Sequence, residues 1–444
     1  MMNKYLRQFC LIIVTILSCL FVYLRQSYVL SEELSPYNSE TRELPIVSGF
    51  NIMDTLSMLY HDLHVGPIGI SPSYQIKETF DDNVFFSSAD EVSDFYTSHL
   101  AGIELASPLS DFSRTYLNYN AEIYDYMRLD EQNHINQSVK AAFDFRFAND
   151  FNFSVSDQLS KREIPGIVNR RFVGNIEEVP TEDFALETFV AKREFIINLA
   201  SFDLDLPDFF PNLDSSIHYA NRDVSYEEKE FEDSDYNTDI IRTLANYNYP
   251  FLPIQISSGF VYTVQRYDLN ENNDSIRKNI PFDITWNITP KNAVYLNTEY
   301  RISDYNSNST LEDFKGLTTV LGDRYAINPV SSIEIHGERS IRELRASDNN
   351  AYLYLAIGIR YTITHDRFDA FIDVGYSKLK FLEENEAFGI TEKIDGVNVD
   401  LNVRYSPQEW WFAEFNYNYD FNNDNIDFGD FSRNTLSLAA GLNF

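Results

Sequence analysis

Apolar residues along this chain recur at every second position. In residues 433–444, RNTLSLAAGLNF, Asn434, Leu436, Leu438, Ala440, Leu442 and Phe444 fall on one face. Arg433, Thr435, Ser437, Ala439, Gly441 and Asn443 fall on the other. A period of two is the signature of a β-strand with one apolar and one polar or small face. Residues 134–147 repeat the pattern, with Ile135, Val139, Ala141, Phe143, Phe145 and Phe147 opposite Asn136, Ser138, Lys140, Asp144 and Arg146. Residues 276–289 set Ile276, Ile280, Phe282, Ile284, Trp286 and Ile288 against Arg277, Asn279, Asp283, Thr285 and Asn287, with Lys278 on the apolar side near one end. Residues 351–363 set Leu353, Leu355, Ile357, Ile359 and Ile363 against Tyr352, Tyr354, Gly358, Arg360 and Thr362. Such runs outlast the roughly five or six residues of an average soluble strand. They fit the roughly nine to eleven needed to cross a bilayer at a tilt.

The connections alternate in character. SPLSD (107–111), AND (148–150), DLPDFFPN (205–212), YPFLP (249–253), TPKN (289–292), NPVS (328–331), THDR (364–367) and SPQE (406–409) are turn-rich. Between them lie mostly longer, acidic stretches, including 81–94, 162–182, 227–234, 269–275, 305–313 and 420–432. Tight turns at one end and long loops at the other are expected of a bacterial barrel, with the turns in the periplasm. The alternation predicts an all-β, transmembrane, antiparallel up-and-down barrel over residues 67–444. It has about eighteen strands, from 68–79 to 433–444, or sixteen if the least regular, 68–79 and 183–200, are left out. An even count puts both barrel ends on the turn side.

Residues 1–31 read as a secretory signal. Lys4 and Arg7 precede a charge-free run from Phe9 to Leu24, and Val29 and Ser31 suit cleavage after Ser31. An uncleaved anchor and a lipoprotein signal ending at Cys19 are the alternatives. Residues 32–66 read as a periplasmic extension or plug, in which Ile52, Leu56, Leu59, Tyr60 and Leu63 have the spacing of a short amphipathic helix. His61 and His64 sit there three apart without further ligands, which favours solvated residues over a metal pair.

Composition narrows the function. A net charge of −33 offers nothing to replace the counterions of nucleic acid. The 29 Tyr and 35 Phe exclude a disordered acidic chain. Both cysteines, Cys10 and Cys19, lie in the leader, so no disulfide framework or thiolate metal site is expected beyond it. Trp410 and Trp411 after a turn, with Tyr300, Tyr376 and Tyr417 toward the loops, suit interfacial girdles, although strands favour aromatics anyway.

The stretch ISPSYQIKETFDDNVFFS (70–87), with a proline in the strand, the step Asp81-Asp82-Asn83 and a tyrosine-rich strand from Tyr116 to Tyr126, resembles the start of the beta-barrel porin 2 family. The likeness in pattern runs over residues 67–444. It implies an outer-membrane barrel often encoded beside exopolysaccharide or capsule genes, hence a link to polysaccharide export and a periplasmic exporter. The chain end, an apolar row finishing on Phe444, resembles that of outer-membrane barrels of Gram-negative bacteria, where the terminal aromatic is part of the signal to the barrel-assembly machinery.

No nucleophile motif, zinc-protease motif, phosphate loop or dinucleotide fingerprint occurs, so neither an enzyme nor a cofactor or metal is expected. A hydrolase at the outer rim would have His99 or His134 near strand ends, without a nameable nucleophile. The loop carboxylates Asp81, Asp82, Glu227, Glu228, Glu230, Glu232, Asp233 and Asp235 read as a solvated, repelling surface; hard-oxygen calcium ligands are the alternative. Expected partners are outer-membrane lipid and lipopolysaccharide. The polar faces put Lys140, Asp144, Arg146, Arg277, Asp283, Arg360, Asp400 and Arg404 on the lumen, a mixture of signs rather than one ring of like charge. The expected function is porin-like solute passage or polysaccharide export, against a structural or adhesion barrel with a closed lumen.

Overall fold

The structure is a computed structural model. It describes residues 64–86, 91–147, 151–164, 193–227, 235–269, 274–306, 313–343, 351–385, 390–425 and 430–443. The chain forms two units, Met1–Ile52 and Met53–Phe444. The expected signal, the helix around residues 52–63, His61 and Phe444 lie outside the described residues.

Strand β1 (His64–Val65) folds back on β2 (Ile68–Asp81) as a tight hairpin through Gly66, whose φ of 63° is easy only for glycine. The barrel continues through β3 (Asp94–Ser110), β4 (Ser113–Tyr126), β5 (His134–Arg146), β6 (Asn152–Ile164), β7 (Arg193–Phe210) and β8 (Leu213–Tyr226). Next come β9 (Tyr236–Asn248), β10 (Ile254–Tyr267), β11 (Ser275–Thr289), β12 (Asn292–Tyr305) and β13 (Phe314–Asn328). The last strands are β14 (Ser331–Glu343), β15 (Ala351–His365), β16 (Phe368–Asn385), β17 (Ile390–Gln408), β18 (Trp411–Asp424) and β19 (Phe431–Asn443). Each pairs antiparallel with its sequence neighbour, and β19 pairs with β2 from Thr435↔Asp81 to Asn443↔Ser73. Eighteen strands, β2 to β19, thus form a closed wall with no free edge, which backbone polar groups in hydrocarbon require.

The expected architecture is the observed one, and one strand is corrected. The expectation put a strand at 183–200 and a turn at 205–212; β7 instead runs Arg193–Phe210 and turns only at Pro211-Asn212. A proline cannot donate to the ladder, so Leu-Pro-Asp reads as a break. The sheet absorbs it as a register shift between Leu206 and Phe210. Pro108 and Pro407 likewise sit at turn-end shifts, Pro108/Ser110 and Tyr405/Gln408. At two turns a non-glycine residue takes positive φ, Asn212 at 64° and Asp366 at 53°, residue types that tolerate it.

The two faces of the wall differ as the period-two pattern requires. Ile357, Ile335, Leu321, Leu438, Leu159 and Trp286 are exposed on the outside. In water such a surface would be a large aggregation patch; against lipid it is the matching surface. The other face holds small and polar side chains, among them buried Ser98, Ser303, Ser340, Asp373 and Ser377.

The loop ends share a device. The final backbone N–H of a rising strand donates to an Asp or Asn that precedes the descending strand. Tyr126 N–H meets Asn133 Oδ1 at 2.6 Å, Tyr226 meets Asp235 at 2.7 Å, Tyr267 meets Asp274 at 2.8 Å, and Tyr305 meets Asp313 at 3.0 Å. Asp94 accepts from the backbone N–H groups of Arg128 and Leu129 in the same spirit. These acids close the ladder where it runs out of partners.

Candidate functional site

The inner wall is the candidate site, and its composition follows from register. An unbroken row crosses eight strands as Arg324↔Glu334↔Arg360↔Asp373↔Asp400↔Asn418↔Thr435↔Asp81, from β13 through β19 to β2. Three neighbouring couples in it are bonded directly. Arg360 Nε donates to Asp373 at 2.7 Å, and Arg324 Nε donates to Glu334 at 2.8 Å. Asn418 donates to Asp400 at 2.6 Å, and Asn398 donates to the same carboxylate at 3.2 Å. Tyr295, on β12, also donates to Glu334 at 2.8 Å. Its ring reaches there by lying across Gly322 of β13, where any Cβ would strike the phenol ring. Glycine at that position lets an aromatic tie strands two apart.

Nearer the turns, Arg404 lies over the Phe412 ring at 3.7 Å from its centroid and faces Glu414 at 3.5 Å. Glu414 in turn accepts from Asn402 at 3.1 Å and Asn416 at 2.8 Å. On the opposite arc, the row Arg114↔Asp144↔Ser154↔Asp203↔His218↔Arg242 alternates acid, base and hydroxyl. His218 Nδ1 lies 2.5 Å from Asp203.

Of the residues expected on the lumen, Arg360 and Asp400 belong to the first row, with Arg404 on the same strand as Asp400. Asp144 belongs to the opposite arc. Lys140 shares its strand and pairs in register with Asn118 and Gln158. Arg146 stands at the turn end, its Nε 3.3 Å from Asn152. Arg277 is buried at the loop end, donating to Gln265 at 3.1 Å. Asp283 lies mid-strand between Ser257 and Asn297. These residues are therefore spread along the wall rather than gathered into one ring.

Two apolar clusters on the same inward face were not expected. Phe195, Val224, Tyr226 and Tyr236 form one at the loop ends of β7 to β9. Tyr352, Leu379, Phe381 and Ile394 form the other on β15 to β17. By strand order they lie about half a circumference apart. The signal was present in the sequence, because Leu379 and Phe381 break the polar parity of β16 at its loop end.

The two histidines considered for a rim hydrolase are placed apart. His99 faces outward mid-strand, its Nδ1 2.7 Å from the Tyr74 hydroxyl. His134 is buried, bonded to the Gln132 carbonyl and stacked on Tyr124 at 4.3 Å. Two of the acids assigned to a solvated surface are not so placed. Asp81 is 1% exposed and takes a bidentate contact from Arg433. Asp82 accepts from the Asn434 backbone and side-chain nitrogens at 2.6 Å each. Glu227 pairs with Lys161 at 3.0 Å, and Asp235 closes a ladder; Glu228, Glu230, Glu232 and Asp233 lie outside the described residues.

A closed antiparallel wall, aliphatic outside and polar inside, defines a transmembrane β-barrel of the bacterial outer-membrane type. Solved structures of such barrels are similar to this chain. OccAB3 of Acinetobacter baumannii superposes with a TM-score of 0.52 at 9% identity, covering 86% of this chain and 100% of that one. The outer-membrane protein OpdK of Pseudomonas aeruginosa gives 0.51 at 10% identity, covering 85% and 99%. The FrpB iron transporter of Neisseria meningitidis gives 0.49 at 10% identity, and this chain spans 64% of its length. No family model matches the chain, and no curated protein matches it significantly. At these identities the likeness is one of fold.

Proposed function

We propose that the barrel is a passive, porin-like passage for neutral hydrophilic solutes, with its turns in the periplasm and its loops outside. The observation that carries this reading is the pairing of charge along the inner wall. Arg360 with Asp373, Arg324 with Glu334 and Arg404 with Glu414 leave amides, hydroxyls and aromatic rings between neutralised pairs. A filter for one ion would collect one sign at a constriction. A wall of this kind instead hydrogen-bonds sugar hydroxyls and stacks on their apolar faces. The resemblance to the beta-barrel porin 2 family supports an oligosaccharide or exopolysaccharide as the cargo, with a periplasmic exporter as partner. Lipopolysaccharide and the barrel-assembly machinery complete the set. Lys140, Asp144, Arg146, Arg277, Asp283, Arg360, Asp400 and Arg404 are the proposed lumen-lining charges, and no reaction is assigned to them.

The facing apolar clusters at the loop end favour a second reading, a structural or adhesion barrel closed at its mouth. Planar-bilayer recordings of the purified protein decide between the two. The first reading expects steady conductance, weak ion selectivity and block by added oligosaccharide. Strong selectivity for one ion sign would point to an ion porin. Absence of conductance, both with and without residues 32–66, would favour the closed barrel.

A further inference from the structure

Apart from Asp157 and Asp323, the charged side chains that register places on the outer surface of the described wall lie toward the loop ends, and there they divide into two arcs. On β6 to β12 the outward cations are matched by acids. Lys161 meets Glu194 at 2.8 Å and Glu227 at 3.0 Å, Arg266 meets Asp239 at 2.9 Å, and Lys278 meets Asp304 at 2.8 Å. On β13 to β17 the balance fails. Lys315, Arg339, Lys378, Lys380 and Lys393 are all exposed and share the outward face with Leu317, Leu355 and Tyr376. Among the described residues only Lys378 of these has a close acid, Asp395 at 3.5 Å, and that carboxylate also accepts from Tyr376 at 2.7 Å. Lys380 and Lys393 are direct register partners, two exposed lysines opposite each other on neighbouring strands. Like charges directly opposite destabilise a sheet. In a chain with 68 acidic and 35 basic side chains, an unbalanced cationic arc of this kind is the reverse of what composition alone would place there.

Depth identifies what fits. Toward the turns from Lys378, the outward residues of the same strand are Tyr376, Val374 and Ile372. The cations therefore stand just above the aliphatic belt, at the level where phosphate headgroups meet acyl chains. We propose that Lys378, Lys380 and Lys393, flanked by Lys315 and Arg339, form a binding site for the phosphorylated headgroup of lipopolysaccharide. Its acyl chains would lie on Ile357, Ile359 and Val374, which stand turnward of the cations in register. A phosphate seated between Lys380 and Lys393 relieves their repulsion and accepts their hydrogen bonds. The site rests on the reading that the loop end faces outward, because lipopolysaccharide occupies the outer leaflet.

The test uses the full mature barrel in detergent micelles with EDTA present, titrated with lipid A and with lipid A stripped of its phosphates, and followed by native mass spectrometry. The wild type should bind lipid A and bind the dephosphorylated form much more weakly. The triple variant Lys378→Gln, Lys380→Gln and Lys393→Gln should lose on the order of 100-fold in affinity, about 1 kcal/mol per charge. Lys161→Gln, on the balanced arc, should bind as the wild type does. If the triple variant fails to give a heat-modifiable barrel, Lys380→Gln alone should weaken binding by about five-fold. Equal binding by the triple variant, or by dephosphorylated lipid A, would overturn the proposal. So would binding that is seen only when EDTA is left out, since that mode needs metal bridges to acids. Orientation is read separately, by labelling Met127→Cys in intact cells with an impermeant maleimide. Label expected at this loop-end residue supports the outer leaflet, and its absence despite binding in micelles would overturn both this site and the orientation.

Discussion

At the scale of the residue, neighbours along one strand meet opposite solvents. Ile284 pairs with Ile256 and Leu296 on the outside, while Thr285 pairs with Gln255 and Tyr295 on the inside. Ile284→Arg should cost roughly 2–4 kcal/mol, because a guanidinium on the lipid face near mid-depth has no water and no acid to meet. Thr285→Arg should cost much less, since the inner face already accommodates arginines. Folding into lipid vesicles under urea measures both, and equal losses would contradict the assigned faces. Single residues also show what the sequence withholds. The contact of Arg433 with Asp81 joins positions 352 apart, and nothing local to either announces the other. Parity could place both on the inward face; only closure of the barrel brings them together.

At the scale of the element, strand number and most boundaries were legible, because a period-two pattern lasting a dozen residues is hard to produce otherwise. The exception, β7, failed where Pro207 and Asp208 mimic a turn that the sheet instead absorbs as a bulge. Part of the acidic excess also acquires an element-level cause that charge counting missed. Asp235, Asp274 and Asp313 each end a ladder by accepting the last N–H of a tyrosine-terminated strand. The readable signal was a tyrosine closing one strand and an Asp or Asn opening the next. Asp274→Ala should destabilise the β10–β11 hairpin by about 1–3 kcal/mol, the cost of a lost bond to a charged acceptor. Asp274→Asn should recover most of that, since Asn133 already performs the task at Tyr126. Amide hydrogen exchange at Tyr267 reads it out: protection should fall in the alanine variant and return in the asparagine one. Unchanged protection in both would leave the acids as solvated charge after all.

At the scale of the whole molecule, the pairing that closes the barrel is also the one with the longest sequence separation. β2 cannot complete its outer edge until β19 exists, and loop closure over nearly the whole chain makes that step late. The seam carries reinforcement to match. The Asp81–Arg433 ion pair is buried, Arg433 packs over the Phe86 ring at 4.1 Å, and Phe86 meets Phe431 edge-on at 5.5 Å. Asn83 adds a bond to the Ser432 carbonyl at 3.0 Å. The step Asp81-Asp82-Asn83, which carried the family resemblance, is thus the half of the seam contributed by the first wall strand. Two truncations should then behave very differently. Removing residues 430–444 takes away β19 and leaves β18 and β2 as open edges that hydrocarbon cannot satisfy, so no heat-modifiable barrel should form. Removing residues 32–63 deletes no residue of β2 to β19, and the barrel should still form with its mobility shift intact. Phe444→Asp tests the terminal aromatic apart from the seam. It should leave the protein in the periplasm of cells, yet permit folding into vesicles in vitro, where no assembly machinery reads the chain end. A variant that reaches the outer membrane normally would remove Phe444 from the assembly signal while leaving the seam argument standing. Failure of the vesicle folding as well would show instead that Phe444 acts through the closing strand itself.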